Sequence, residues 1–265
     1  MEYEILNNGI KIPRIGFGVY QVSSNSAEKC VIDALTVGYR HIDTARNYGN
    51  EREVGNAIKK CEISRNEIFL TTKIYGAYSY KEACRYIDEA LNKLQTEYID
   101  LLLFHWPSGN IMETYRAMED YYKEGKLKAI GLSNFYRKDF EEIINNCKIT
   151  PMVNQVEAHV FMQQKYLKEE MDKYNIKLEA WSPLACGKNN IFKNKVLKTI
   201  ADSHKKSTAQ IALRFLYQKD ILIIPKTVHI ERMKENLNIL DFQLTNDEIK
   251  EIEMLNTEKS LFGWY

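Results

Sequence analysis

The chain has 265 residues, and its 37 basic side chains nearly cancel 36 acidic ones, for a net charge of +1. That balance gives no electrostatic pull toward nucleic acid or an acidic membrane surface. No run approaches the ~20 apolar residues of a membrane span. With 45% hydrophobic and 28% charged residues, the composition is that of a soluble globular protein with a sizeable core. The length suits two ordinary domains or one α/β barrel of about 250 residues. Five dispersed cysteines (Cys30, Cys61, Cys84, Cys147, Cys186) show no Cys-x-x-Cys spacing. This argues against a disulfide framework and a zinc site and fits a reducing, cytoplasmic setting. The polar start, residues 1–8, shows no secretory signal.

In chain order, Asn7-Asn8-Gly9 between short runs at 3–6 and 10–12 predicts a β-hairpin. Strand-like runs follow near 14–19, 39–43, 67–73, 98–105, 127–132, 152–157, 176–181 and 221–225. Gly16-Phe17-Gly18-Val19-Tyr20-Gln21 begins like a dinucleotide fingerprint. It lacks the third glycine and does not lead directly into a helix, so it carries little weight. Between the strand runs lie helix-like stretches. In 79–95, Ala83, Ile87, Ala90, Leu91 and Leu94 recur at helical spacing, and Ser79 with Glu82 forms a capping-box pattern. Ser207…Gln210 and Thr245…Glu248 repeat that pattern, and Gly125 stops a helix over 113–124. Regular alternation implies right-handed βαβ units and a parallel sheet. Leu101-Leu102-Leu103-Phe104 is apolar at consecutive positions, as in a strand covered on both faces. Eight such units predict a single (β/α)8 TIM barrel over 1–265 with a short N-terminal β-hairpin; an open doubly wound sheet is the alternative.

Four polar residues sit at or just beyond successive strand-like runs: Asp43, Tyr48, Lys73 and His105. Taken singly, each has a bland explanation as a cap, a surface residue or a core histidine. Gathered at one barrel mouth, they can move a proton onto a carbonyl oxygen. A phenol is a weak acid near neutral pH, so a nearby Lys73 ammonium is expected to favour the Tyr48 phenolate and lower its pKa. Asp43 would hold Lys73, and His105 would polarise the carbonyl. A metal-dependent hydrolase is a weaker reading, because His41, His105 and His159 are scattered and no metal-ligand pattern is present.

The segments His41-Ile42-Asp43-Thr44-Ala45, Asn47-Tyr48-Gly49-Asn50-Glu51, Thr72-Lys73, His105-Trp106-Pro107, Gly131-Leu132-Ser133-Asn134-Phe135, Asn154-Gln155-Val156-Glu157 and Ile224-Pro225-Lys226-Thr227 together resemble the aldo-keto reductase family. The likeness is to its small microbial members, including 2,5-diketo-gluconate reductase-like enzymes. It implies reduction of aldehydes or ketones to alcohols by NADPH, with the catalytic tetrad at Asp43, Tyr48, Lys73 and His105. It also implies that Ser133, Asn134 and Gln155 hold the nicotinamide carboxamide and that Trp181 stacks on its ring. The pyrophosphate would then lie near Ser182 and Leu184. Lys226, Thr227 and Arg232 would meet the 2′-phosphate, with Glu235 and Asn236 near adenine. His229 stands where many NADPH-dependent members carry arginine, so some NADH use is expected. Tyr20, Tyr75 and Trp106 would wall the substrate site. The loop over 186–191 and the tail Leu261-Phe262-Gly263-Trp264-Tyr265 would complete it, the short tail leaving it open. A monomer is the family-based expectation, with a small-molecule carbonyl as partner. The competing reading is a cofactor-binding regulatory or interaction protein on the same barrel.

Overall fold

The computed structural model describes residues 2–264. It begins with the expected hairpin: β1 (Tyr3–Ile5) pairs antiparallel with β2 (Lys11–Pro13), Glu4 opposite Ile12. Gly9 turns the chain at φ 86°, a left-handed backbone that costs glycine no Cβ clash. The Asn7 and Asn8 amides donate to the carbonyls of Pro151 and Lys128 at 2.9 and 3.0 Å. Those carbonyls precede barrel strands, so the hairpin covers the N-terminal mouth, and the functional rim is the opposite one.

Eight parallel strands follow: β3 (Phe17–Gly18), β4 (His41–Asp43), β5 (Phe69–Ile74), β6 (Leu101–Phe104), β7 (Ile130–Ser133), β8 (Val153–Glu157), β9 (Lys177–Trp181) and β10 (Leu222–Ile223). They are hydrogen-bonded side by side in chain order. The circle closes where Gly16 N donates to Ile223 O at 2.8 Å and Ile223 N donates to Arg14 O at 3.1 Å. The predicted barrel is therefore the fold. The strands at 14–19 and 221–225 are shorter than predicted because this seam is held by one bridge, Ile15 to Ile223, and not by a full ladder. All four residues of β6 are buried, as their unbroken apolar run implies; burial contributes roughly 1.5–3 kcal/mol for each such large side chain.

The helices are α1 (Ser24–Val37), α2 (Glu51–Lys60), α3 (Tyr80–Leu94), α4 (Ile111–Lys123), α5 (Arg137–Asn146), α6 (Lys165–Asp172), α7 (Lys195–His204), α8 (Thr208–Gln218), α9 (Ile230–Leu237) and α10 (Asn246–Glu253). Full capping boxes start α8 and α10. At α3 the box is incomplete: Ser79 accepts from Glu82 N, but the Glu82 carboxylate turns to Tyr78 N at 2.9 Å. Helix α7 is an addition between β9 and α8.

Inside the barrel, alternate residues of neighbouring strands meet. His41 Nε2 lies 2.9 Å from Thr71 Oγ1, and Lys73, Asp43, Gln155 and Glu179 are linked across β5, β4, β8 and β9. Gly16 makes room for this layer. A Cβ there would come within 2.6 Å of His41 Nδ1 and of Ile224 Cγ2. Gly16, the first glycine of the pattern that imitates a dinucleotide fingerprint, thus answers a packing need.

Candidate functional site

Lys73 is almost fully buried near the C-terminal end of β5. Its Nζ donates to Asp43 Oδ1 at 2.6 Å, to Thr44 O at 2.9 Å and to the Tyr48 hydroxyl at 3.4 Å. Tyr48 stands on a 3-10 turn, Arg46–Tyr48, which Gly49 ends in a left-handed conformation. Asn50 pins that segment: its amide donates to Val19 O and Val22 O, and its carbonyl accepts from Thr44 Oγ1 at 2.7 Å. His105 follows β6, and its ring lies edge-on to Tyr48 with centroids 5.9 Å apart. The four sequence-predicted residues are therefore gathered at one mouth of the barrel. His105 Nδ1 is buried without a hydrogen-bond partner. A buried N–H lacking an acceptor is costlier than an unused lone pair, which favours the tautomer with its proton on Nε2, toward the cavity that His105 lines.

Burial and the largest neighbouring charge act against each other at Lys73 and Tyr48 and together at His105. Burial pulls the Lys73 ammonium down, but Asp43 and Tyr48 outweigh it and leave the pKa above its ordinary value. Burial holds His105 well below its usual range, helped by the Lys73 charge, so the imidazole is neutral. The expectation for Tyr48 needs correction. Lys73 does pull the phenol pKa down, but enclosure of the hydroxyl wins, with a smaller push from Asp43, and raises it to about 12. A proton is thereby kept on the phenol at neutral pH, and the ammonium 3.4 Å away is placed to stabilise the anion once that proton leaves.

A cavity of about 1000 Å³ opens over this group. It is lined by Ser133, Asn134, Gln155, Trp181, Ser182 and Leu184 at its centre and by Lys226, Thr227, Arg232, Glu235 and Asn236 toward α9, with Tyr20, Tyr75 and Trp106 at the tetrad end. His229 does not line it; it stands immediately before α9, makes no side-chain cap bond there and is exposed. Gln155 Nε2 donates both to Asp43 Oδ2 and to Glu179 Oε2, at 2.9 and 2.7 Å. Its two hydrogens are used, so Oε1 is the end left to meet a ligand, a fit for the NH₂ of a carboxamide. Asn134 accepts from Trp181 Nε1 at 2.8 Å and donates to His105 O at 3.1 Å, joining the expected cofactor face to the tetrad.

The tail departs from expectation. Short as it is, it folds back over the pocket: Trp264 stacks on Trp181 with centroids 5.3 Å apart and reaches Tyr20 and Trp106 at 6.4 Å. Ser260 Oγ and Leu261 N donate to the buried Glu157 at 2.6 and 2.9 Å, fastening it there. Tyr265 lies outside the described residues. Cys186, Gly187 and Lys188 of the expected loop do line the cavity, while Asn47, Gln21, Phe192 and the Ser207-Thr208-Ala209 start of α8 are lining residues that escaped the sequence reading. For the last, the capping box was the available signal, since a capped helix N-terminus presents free N–H groups to an anion. The 186–191 loop is present but irregular, with Cys186, Asn189 and Asn190 in left-handed conformations. Among the described residues no group of three His, Cys, Asp or Glu is placed to hold a metal ion. No helix among them is long and apolar enough to cross a membrane.

Residues 14–257 match the profile of the Aldo/keto reductase family. The chain is 41% identical over 257 residues to the glyoxal reductase of Bacillus subtilis, covering 96% of this chain and 92% of that protein. It is 39% identical over 259 residues to methylglyoxal reductase DkgA of Escherichia coli, covering 97% and 94%. Among solved structures, an aldo-keto reductase enzyme from a Medee basin deep-sea metagenome library superposes with a TM-score of 0.94 at 44% identity, covering 97% and 96%.

Proposed function

Because the chain belongs to the aldo/keto reductase family, we propose that it reduces small aldehydes and ketones to alcohols with NADPH, Tyr48 giving the proton. The observation that carries this reading is the bonded series of Tyr48 hydroxyl, Lys73 ammonium and Asp43 carboxylate, at 3.4 and 2.6 Å, facing a cavity shared with His105. A bound nicotinamide would supply hydride to the carbonyl carbon. As negative charge grows on the carbonyl oxygen, the Tyr48 proton moves onto it, and Lys73 stabilises the phenolate left behind. His105, neutral and with Nε2–H toward the cavity, donates to the same oxygen and orients it. Asp43 keeps the ammonium in place and offsets its charge.

Ser133, Asn134 and Gln155 would hold the carboxamide and Trp181 the ring face. That face is met by Trp264 in this conformation, so the tail would have to give way to the cofactor. Lys226, Thr227 and Arg232 would meet a 2′-phosphate, which supports NADPH over NADH. With His229 outside the cavity lining, the preference is modest and some NADH is used. The relatives' names point to short α-dicarbonyl compounds as substrates, and the aromatic walls Tyr20, Tyr75 and Trp106 also suit a flat aldehyde.

The test is a panel of glyoxal, methylglyoxal and an aromatic aldehyde, followed by NADPH oxidation in wild type and Tyr48→Phe. The expected outcome is turnover by wild type and a loss in kcat of about 10²–10⁴-fold in the variant, the usual contribution of a positioned general acid, with cofactor Kd unchanged. Equal turnover by both proteins would overturn the assignment of Tyr48.

A further inference from the structure

Behind Tyr48, Lys73 and Asp43 lie two ionisable side chains that the proposed reaction does not use, His41 and Glu179, both fully buried. The Gln155 amide bridges the two carboxyl groups, donating one hydrogen to Asp43 and one to Glu179. The other carboxyl oxygen of Glu179 is 3.8 Å from His41 Nδ1, beyond hydrogen-bond reach, and neither of those atoms has a hydrogen-bond partner. His41 is held instead through Nε2 by Thr71 Oγ1 at 2.9 Å.

Two physical consequences follow. An amide clamped between two acceptors cannot turn over, so its orientation toward the cavity is fixed by Glu179 as much as by Asp43. Lys73 can balance one carboxylate but not two, and a second buried negative charge would stand unpaired. We propose that Glu179 is a positioning residue for carbonyl reduction, holding Gln155 in its binding orientation and, by keeping or releasing one proton, setting how readily Lys73 and Asp43 support charge on Tyr48. This rests on the reduction proposed above.

The groups facing Glu179 are His41 and Asp43 on β4, Lys73 on β5 with Tyr48 beyond it, and Gln155 on β8. Ile224 and Gly16, which crowd the far side of His41, bring no charge. Burial first, and the Asp43 charge second, push the Glu179 carboxyl up to about 8, against Gln155 and Lys73, which pull it down. His41 is driven down to about 3, chiefly by burial, and adds no balancing charge. Below about pH 8 the layer is therefore neutral overall, with Asp43 and Lys73 paired. Above it, an added negative charge disfavours the Tyr48 phenolate, so the phenol becomes a poorer acid and reduction slows.

The closing experiment has one readout without turnover and one with it. Infrared titration of protein carrying isotope-labelled glutamate, with Glu179→Gln subtracted, should show a protonated-carboxyl band at neutral pH that is lost through about pH 8. Glu179→Met serves in the same subtraction if Glu179→Gln does not fold. In the reduction assay, wild-type kcat should fall in a step near pH 8 that Glu179→Gln lacks. A carboxylate already ionised at neutral pH, or an alkaline step kept in Glu179→Gln, overturns the proposal. Failure of the wild type to reduce any carbonyl counts against the reaction itself, because the infrared band is read without turnover.

Discussion

At the inner end of the cavity, Asp43, Lys73, Gln155 and Glu179 are buried and bonded in series, each link 2.6–2.9 Å. At the outer end, Lys226, His229 and Arg232 are exposed around the start of α9. The inner groups stand on strands whose register places Asp43 beside Thr71 and Gln155 beside Glu179. The outer groups stand on a loop and a helix start that solvent can screen. Charges in the first setting act at low dielectric, where one misplaced or orphaned group is expensive. Charges in the second act through water and are exchanged cheaply. On the proposed function, reaction chemistry would thus sit where the fold tolerates little change, and cofactor choice where it tolerates much.

The largest break in that contrast is expected from Lys73→Met. It leaves Asp43 buried without its cation, a loss of the kind that costs about 3–5 kcal/mol, and removes the group proposed to stabilise the phenolate. Denaturant unfolding should show the stability loss and the carbonyl assay the loss of reduction. Adding Asp43→Asn should recover much of the stability and none of the activity. If Lys73→Met unfolds at the same denaturant concentration as wild type, the inner end is not the low-dielectric site described.

A smaller effect is expected from Gly16→Ala. The new methyl would meet His41 and Ile224 at 2.6 Å, and overpacking a filled interior costs about 1–3 kcal/mol. The same interior sets a pH signature. The Glu179 carboxyl is raised from 4.5 to about 8 in the folded protein, so its stabilising contribution is full below about pH 4.5 and is lost as pH rises toward 8. His41 is lowered from 6.5 to about 3, so its contribution is present above about pH 6.5 and is lost as pH falls toward 3. Urea midpoints against pH should therefore decline on both sides for wild type, and Glu179→Gln should remove the alkaline decline while keeping the acid one. An unchanged alkaline slope in that variant would refute the buried acid.

The barrel and the gathering of Asp43, Tyr48, Lys73 and His105 were legible because each follows a local pattern repeated at or just beyond strand ends. The apolar run of β6 announces burial on both faces, and Asp43, Lys73 and His105 mark where strands give way to loops. Capping boxes located α8 and α10. What stayed hidden depends on contacts between distant segments. Nothing near Tyr48 in sequence says that enclosure outweighs the pull of Lys73, because the enclosing groups arrive from other strands. Glu179 reads as one more strand residue until Gln155, from the neighbouring strand, ties it to Asp43. The tail looked too short to cover the pocket. Its fold-back is set by Glu157, about a hundred positions earlier, which accepts from Ser260 and Leu261. Ser207 was seen as a cap but not as cavity lining, since only the folded chain brings the start of α8 to the cavity.

The smallest effect belongs to the outer end. His229 is exposed at the start of α9, outside the cavity lining, and its ring lacks the planar fork of donors that a guanidinium offers a phosphate. In His229→Arg the side chain is longer, always charged and able to reach along the helix start toward Lys226 and Arg232. An exposed ionic contact contributes up to ~1 kcal/mol, so the ratio of kcat/KM for NADPH over NADH should rise about fivefold at low salt and less at high salt, with kcat for the carbonyl unchanged. The salt dependence separates a charge effect from a change of shape, since screening weakens only the former. A ratio that stays at the wild-type value at low ionic strength would mean that the 2′-phosphate does not lie against this helix start, and that the outer end selects its cofactor by other groups.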